Sequence, residues 1–214
     1  VPAAGSLSEA QPPEEGVAAL RLALGIGPDE GPVILLAGDG PRARHDYGMW
    51  AAAILHQLYP QTRILVREDP RGRTDPGVER FRDSLTDPEM LAIAPASAKW
   101  SALVQAADLV LATPTEAMGT GAVLAAMAAG KLVVGTPVPC ITELIVQDRT
   151  GLIARAATPR ALAARLEEHM SDAGLAAPLT QRARTHVEAH HGPSQTAAAF
   201  LALYQQLSPA PLPV

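Results

Sequence analysis

Residues 105–134 read QAADLVLATPTEAMGTGAVLAAMAAGKLVV. Leu109-Val110-Leu111-Ala112 is apolar at every position, and so is Leu132-Val133-Val134. A strand that does not alternate is covered on both faces, which is the habit of parallel sheets. Between the two runs lie a loop, residues 113–119, and a small-residue helix expected over 120–129. Strand, loop, helix and strand in that order form one unit of a doubly wound α/β fold. The same rhythm extends in both directions. Further strands are expected at 33–37, 62–66, 90–94, 131–134 and 151–154. Helices are expected at 47–59, 78–85 and 99–107, a short helix or turn at 142–146, and a helix at 159–170. Trp50, Ile54 and Leu58 recur at helical spacing in the first of these. Thr158 is placed to cap the last, with Pro159 in its first turn. A final helical region spans 179–207, broken near Gly192-Pro193.

The reading gives one Rossmann-like domain over 32–207. Residues 1–31 read as linker with a short helix at 17–24, and residues 208–214, with three prolines, as a flexible tail. The first residues lack an initiator Met and any leader pattern, so the expectation is a piece cut from a longer chain. Hydrophobic residues make up 48% of the 214, enough for a full core, but aromatics only 3%, so Ala, Leu, Val and Ile must fill it. A formal charge of −5 offers no concentrated basic surface, and a nucleic-acid partner is not expected. A single cysteine, Cys140, rules out an internal disulfide and a thiolate zinc cluster. No stretch approaches the roughly 20 apolar residues that span a bilayer. The expectation is a cytoplasmic chain, and membrane association of a longer protein is left open.

Open α/β sheets bind ligands beyond the carboxyl ends of their strands. The loop before the 120–129 helix holds Gly119, Thr120, Gly121 and Ala122. Glycines there let a ligand approach backbone N–H groups, and a helix start favours phosphate or diphosphate. The bland alternative is a tight turn before a close-packed helix. Glu116 in the same loop would repel phosphate if it pointed inward, and would instead take sugar or ribose hydroxyls. After the first strand come Gly38, Asp39, Arg42, Arg44 and His45. The arginines would neutralise a diphosphate, or else are solvated surface, and no dinucleotide fingerprint is complete. Arg67, Arg71 and Arg73 are further basic candidates. Thr142 is placed to cap a short helix with Glu143 in its first turn. His190 and His191 are adjacent and do not share a helix face, so a surface or interdomain place is expected.

Taken together, these landmarks resemble the C-terminal half of a retaining GT-B glycosyltransferase of the group 1, or family 4, type. That family includes sucrose synthase-like and glycogen synthase-like enzymes. The resemblance covers about residues 32–207. It is carried by the stretch from Gln105 to Gly119, by Val123 to Gly130, by Lys131-Leu-Val-Val-Gly-Thr-Pro137 and by Thr142 to Ile153. It implies a nucleotide-diphosphate sugar as substrate, with no cofactor and no metal. It also implies an acceptor-binding N-terminal domain elsewhere in the full-length chain. The sugar would pass to a hydroxyl with retention. The diphosphate and sugar would lie at Glu116 to Ala122, with Glu116 and Arg44 in the catalytic roles. Gly38, Arg42 and Glu143 would line the donor site, and backbone at Ala94 and Ala96 would meet the base.

The sequence departs from that pattern at several points. The second glutamate of the family, which holds the ribose, falls on Ala125. Asp39 stands where an arginine is usual, leaving Arg42, Arg44 or His45 to substitute. The usual glycine after the second strand is replaced near Arg67, and a glycine pair by Pro139 and Cys140. The loop after residue 112 is one residue longer than the family spacing. These departures keep a second reading open, a decayed interaction or regulatory module. A third reading is a different nucleotide-binding α/β protein.

Overall fold

The computed structural model describes residues 14–171, 174 and 176–207. Residues 1–13 of the linker segment expected at 1–31, and the tail expected at 208–214, lie outside the described residues. Six strands form one parallel sheet: β1 (Val33–Leu36), β2 (Arg63–Arg67), β3 (Leu91–Ala94), β4 (Leu109–Ala112), β5 (Leu132–Gly135) and β6 (Leu152–Ile153). Their order is β3-β2-β1-β4-β5-β6. The continuous apolar strands do what their composition requires. Val33 and Leu35 enter the core on one face with Leu65, Val110 and Val133, while Ile34 and Leu36 enter the other with Ile64, Leu111 and Val134.

Helices cover both faces. On the first side lie α1 (Glu14–Ala23), α4 (Trp100–Ala106), α5 (Gly121–Ala128) and α8 (Ala176–His190). On the second lie α2 (His45–His56), α3 (Pro76–Ser84) and α7 (Pro159–Met170). The short α6 (Pro139–Thr142) follows β5, and α9 (Pro193–Leu207) follows α8. The fold class expected from the strand pattern is the one found. α1, read with the linker segment, packs Val17 and Leu20 on the core. It is tied down by Arg21, which donates to Ala106 C=O at 2.7 Å and to Asp108 at 2.9 Å. The other Asp108 oxygen accepts the Val33 N–H at 2.7 Å.

The helix expected at 47–59 spans 45–56, so Leu58 falls past its end, and Trp50, Ile54 and Leu58 are 51%, 44% and 64% exposed. The buried face carries Gly48, Met49, Ala52 and Leu55 instead. The small residues let the helix settle on the sheet. A Cβ at Gly48 would stand 2.7 Å from Leu36 Cδ2 and 3.2 Å from Leu111 Cδ2. Trp50 is left to meet Phe81 of α3 edge-on at 5.2 Å. α9 is the other exposed apolar element, with Phe200, Leu201, Leu203, Tyr204 and Leu207 all open to solvent and Thr196 buried. Among the described residues no helix is long and apolar enough to cross a membrane.

Candidate functional site

The strand order reverses direction between β1 and β4. The chain leaves β1 toward α2 on one face and leaves β4 toward α5 on the other, so the two loops part and open a crevice at the carboxyl edge. Buried threonines fix its walls. Thr113 Oγ1 lies 2.9 Å from both Ala43 C=O and Arg44 C=O and shares its proton between them. Thr136 Oγ1 donates to Pro114 C=O. Gly38 adopts φ +92, and a Cβ there would lie 3.1 Å from Met118 Sδ and from Ala43 Cβ. Glycine is thus required at Gly38 by both conformation and the approach of the β4–α5 loop.

Gly119 and Gly121 are a different case. Neither has a positive φ, and a Cβ at either would meet nothing within 4 Å. Packing and backbone geometry therefore do not demand glycine there. Thr120 occupies the N-cap position of α5 but makes no side-chain cap. The first N–H groups of α5 are left without that partner, at the positive end of a helix that opens on the crevice. Ala122 begins the buried part of the helix, and Ala125 is half-buried one turn on. No carboxylate stands at Ala125 to take ribose hydroxyls.

The structure brings Arg42 and Glu116 together. Arg42 Nε lies 3.6 Å from Glu116 Oε1, and both side chains are largely exposed. This pair contributes little to stability, and a ligand can separate it at small cost. Cys140 Sγ sits 3.8 Å from Glu116 C=O, so α6 approaches the same loop. Arg44 is more tightly held. It is left-handed, φ 48 and ψ 50, and its guanidinium makes a two-pronged contact with Asp46, both bonds 2.9 Å. It also lies 4.0 Å over the Tyr47 ring. The hydrogen bonds from Arg44 hold the Asp46 carboxyl below the usual carboxylate range.

His45 is buried, with Nε2 3.1 Å from Gly38 C=O. Burial pushes its pKa down, outweighing the attraction of Asp75 and Asp39. A histidine whose folded pKa lies below its unfolded value binds its proton more readily when unfolded. Stability is therefore undiminished above about pH 6.5 and falls as pH drops from there toward the folded pKa. The expected slope is up to about 1.4 kcal/mol per pH unit from this group. His186 and His191 add to it, each pushed down chiefly by burial. Urea unfolding from pH 7.5 to 5 should show that slope, and His45→Gln should reduce it.

Two departures noted in the sequence prove to be partners. Arg67 Nη2 donates to Asp39 Oδ2 at 2.7 Å, and Nε to Asp39 Oδ1 at 3.2 Å. Arg67 Nη1 reaches Ala98 C=O at 3.1 Å, and the guanidinium lies 4.6 Å over Trp100. One side chain thus ties together the loops after β1, β2 and β3. Next to it, Glu68 holds the segment assigned to the base. Its N–H donates to Ala94 C=O at 3.0 Å, and its carboxylate Oε2 accepts the Ala96 N–H at 3.1 Å. The Ala94 C=O and the Ala96 N–H, within the stretch expected to meet the base, each have a partner on Glu68. The Gly119–Gly121 loop and the Ala94–Ala96 segment follow strands three places apart, about 14 Å along the rim.

Glu143 needs a correction in its surroundings. α6 spans Pro139–Thr142, so Thr142 ends the helix rather than capping its start, and Glu143 is the C-cap. Pro139 sets the start, because its fixed φ suits the first turn and its missing N–H is not needed there. The exposed Glu143 carboxylate therefore gains nothing from the helix dipole. Sequence reasoning missed Glu68 and the threonine ties at Thr113 and Thr136. Their only signal was position, immediately after strands β2, β4 and β5. Among the described residues, no group of three or more His, Cys, Asp or Glu side chains is placed to hold a metal ion.

Residues 71–172 match the family model described as Glycosyl transferases group 1. Comparison with curated protein sequences gives no match. Among solved structures, the chain is similar to the C-terminal domain of LpcC, a glycosyl transferase group 1 family protein from Francisella tularensis. The identity is 17% and the TM-score 0.71, over 86% of this chain and 95% of that domain. It is similar to Anabaena HepE, solved in complex with UDP and glucose, at 20% identity and TM-score 0.74, over 94% of this chain and 55% of HepE. It is also similar to sucrose-phosphate synthase from Thermosynechococcus elongatus, at 23% identity and TM-score 0.72, over 97% of this chain and 52% of that one. The chain thus spans about half the length of these last two proteins. Its fold is that of the C-terminal domain of GT-B glycosyltransferases.

Proposed function

We propose that a chain with this GT-B C-terminal fold serves as the donor-side domain of a retaining glycosyltransferase. It would take a nucleotide-diphosphate sugar and present the sugar to an acceptor hydroxyl. The observation that carries the reading is the start of α5. Two glycines, Gly119 and Gly121, stand there for no packing or conformational reason, beside helix N–H groups without a side-chain cap and at the point where strand order reverses. Such a place suits a diphosphate. The group 1 family match over residues 71–172 covers this loop, and HepE, of the same fold, binds UDP.

In the proposed complex the diphosphate lies on Gly119, Thr120, Gly121 and Ala122. Glu116 takes hydroxyls of the sugar, and Arg42 turns from Glu116 toward the phosphates. Donors aimed at the departing diphosphate stabilise the charge that develops as the glycosidic bond to it breaks. Arg44, fixed by Asp46 and Tyr47, serves as the positive rim of the site, with Gly38 and Glu143 at its edges. The acceptor would be held by an N-terminal half of a longer protein, since transfer needs both reactants in one geometry. The exposed apolar residues of α9 suit contact with such a partner.

Calorimetric titration of this chain with nucleoside diphosphates tests the reading. Saturable binding is expected, and Gly121→Val should weaken it by about 100-fold, or about 2.7 kcal/mol. The thermal midpoint should hardly move, because the added side chain enters open space. Absence of binding by the folded chain at millimolar nucleotide would overturn the donor role. It would favour the second reading, an interaction module that has lost its ligand, for which Ala125 is the observation.

A further inference from the structure

The donor-site reading leaves the base open, and the residues after β2 and β3 bear on it. Glu68 is half-buried between them, and the Ala96 N–H fixes one of its carboxylate oxygens at 3.1 Å. The neighbouring cation, Arg67, is committed to Asp39 and Ala98 C=O. In this segment Pro95 has no N–H, Ala96 gives its own to Glu68, and Ala98 gives its own to Pro95 C=O. At these three positions the wall has no N–H left for a ligand carbonyl, and the donors that remain in this stretch are the N–H and hydroxyl of Ser97, one residue past the Ala96 N–H that Glu68 takes up. What Glu68 presents is a carboxylate, which accepts hydrogen bonds and cannot donate when ionised.

The four bases differ in the edge they would turn to such a group. Guanine carries two adjacent donors, N1–H and N2–H₂, which match the two oxygens of a carboxylate. Uracil has one donor flanked by two carbonyl oxygens, each repelled by the carboxylate. Adenine and cytosine place an acceptor nitrogen directly beside their amino group. From this complementarity, and resting on the donor-site reading above, we infer that Glu68 selects guanine, so that the donor is a guanosine-diphosphate sugar. Bonds to an ionised acceptor are the strong class of hydrogen bond, and leaving the carboxylate against a carbonyl adds to the discrimination.

Titration of the 214-residue chain with GDP, IDP and UDP tests the inference. GDP is expected to bind about tenfold or more tighter than UDP, the lower part of the range for a two-pronged base contact. IDP, which lacks the N2 amino group, should fall between them. Glu68→Gln keeps an oxygen for the Ala96 N–H and replaces the other acceptor with a donor. It should weaken GDP by about tenfold and leave UDP unchanged or tighter, with an unaltered thermal midpoint. Equal affinity for GDP and UDP, or UDP the tighter, with both lost on Gly121→Val, would overturn the base assignment and leave the donor site standing. An unchanged GDP to UDP ratio in Glu68→Gln would overturn it equally. Failure of every nucleotide to bind the folded chain would overturn both readings together.

Discussion

Replacing Arg67 with alanine is expected to cost about 2–4 kcal/mol of stability, read from urea unfolding at pH 7. The size follows from what is left behind. The Arg67 and Asp39 side chains are only 12% and 25% exposed, and the guanidinium supplies both hydrogen bonds that the Asp39 carboxylate receives from it. Removing it strands a partly buried charge, takes the donor from Ala98 C=O and uncovers the Trp100 face. Changing both Arg67 and Asp39 to apolar residues should cost less than Arg67→Ala alone, because no uncompensated carboxylate remains. If the single variant lost less than about 0.5 kcal/mol, the pair would be a surface contact of the ordinary kind. The arginine draws the loops after β1, β2 and β3 together, so nucleotide affinity should fall along with stability.

Leu36→Ala is expected to cost about 2–5 kcal/mol, the range for truncating a fully buried leucine. Leu36 is 0% exposed and lies under Gly48 of α2. Gly48→Val, the opposite change at the same contact, should cost about 1–3 kcal/mol by overpacking, because even a Cβ there comes within 2.7 Å of Leu36 Cδ2. Combined, the two should cost clearly less than their sum, since the valine fills part of the space that the leucine vacates. Additive costs in that double-mutant cycle would mean that α2 does not rest on Leu36. The contact matters beyond stability. α2 begins directly after Arg44, so a lifted helix carries Arg44 with it.

The strands were legible because burial on both faces leaves a plain mark. Val33 to Leu36 and Leu109 to Ala112 contain no polar residue to interrupt them. The helices were legible as helices, but their faces were less so. On α2 Trp50 and Ile54 are exposed, while Gly48, Ala51 and Ala52 lie with Met49 and Leu55 on the buried face, where small side chains let the helix approach the sheet. Periodicity reports that a helix has two faces. It does not say which face the sheet needs.

The candidate site was legible where chemistry and backbone coincide, as at Gly119 and Gly121. It was not legible where the partner of a residue lies across the sheet. Asp39 and Arg67 each looked like a loss when compared with the expected pattern, one at a time. They are 28 residues apart in sequence and meet because β1 and β2 are neighbours. Arg44 reads as a free cation in sequence, yet Asp46, two residues on, holds its guanidinium. Glu68 had no sequence signal beyond its position, because a carboxylate after a strand becomes informative only once the Ala96 N–H is known to face it.

During synthesis, the order of the strands makes β1 wait. Ile34 can pair with Ile64 as soon as β2 is made, but its other neighbour is Leu109. No adjacent strands here are joined by a hairpin, so each pairing must close a long crossover before its contacts repay the lost chain entropy. Until β4 leaves the ribosome, this wholly apolar strand keeps one unpaired backbone edge, which invites association with other chains. The nascent protein is therefore most in need of a chaperone between the completion of β2 and the arrival of β4.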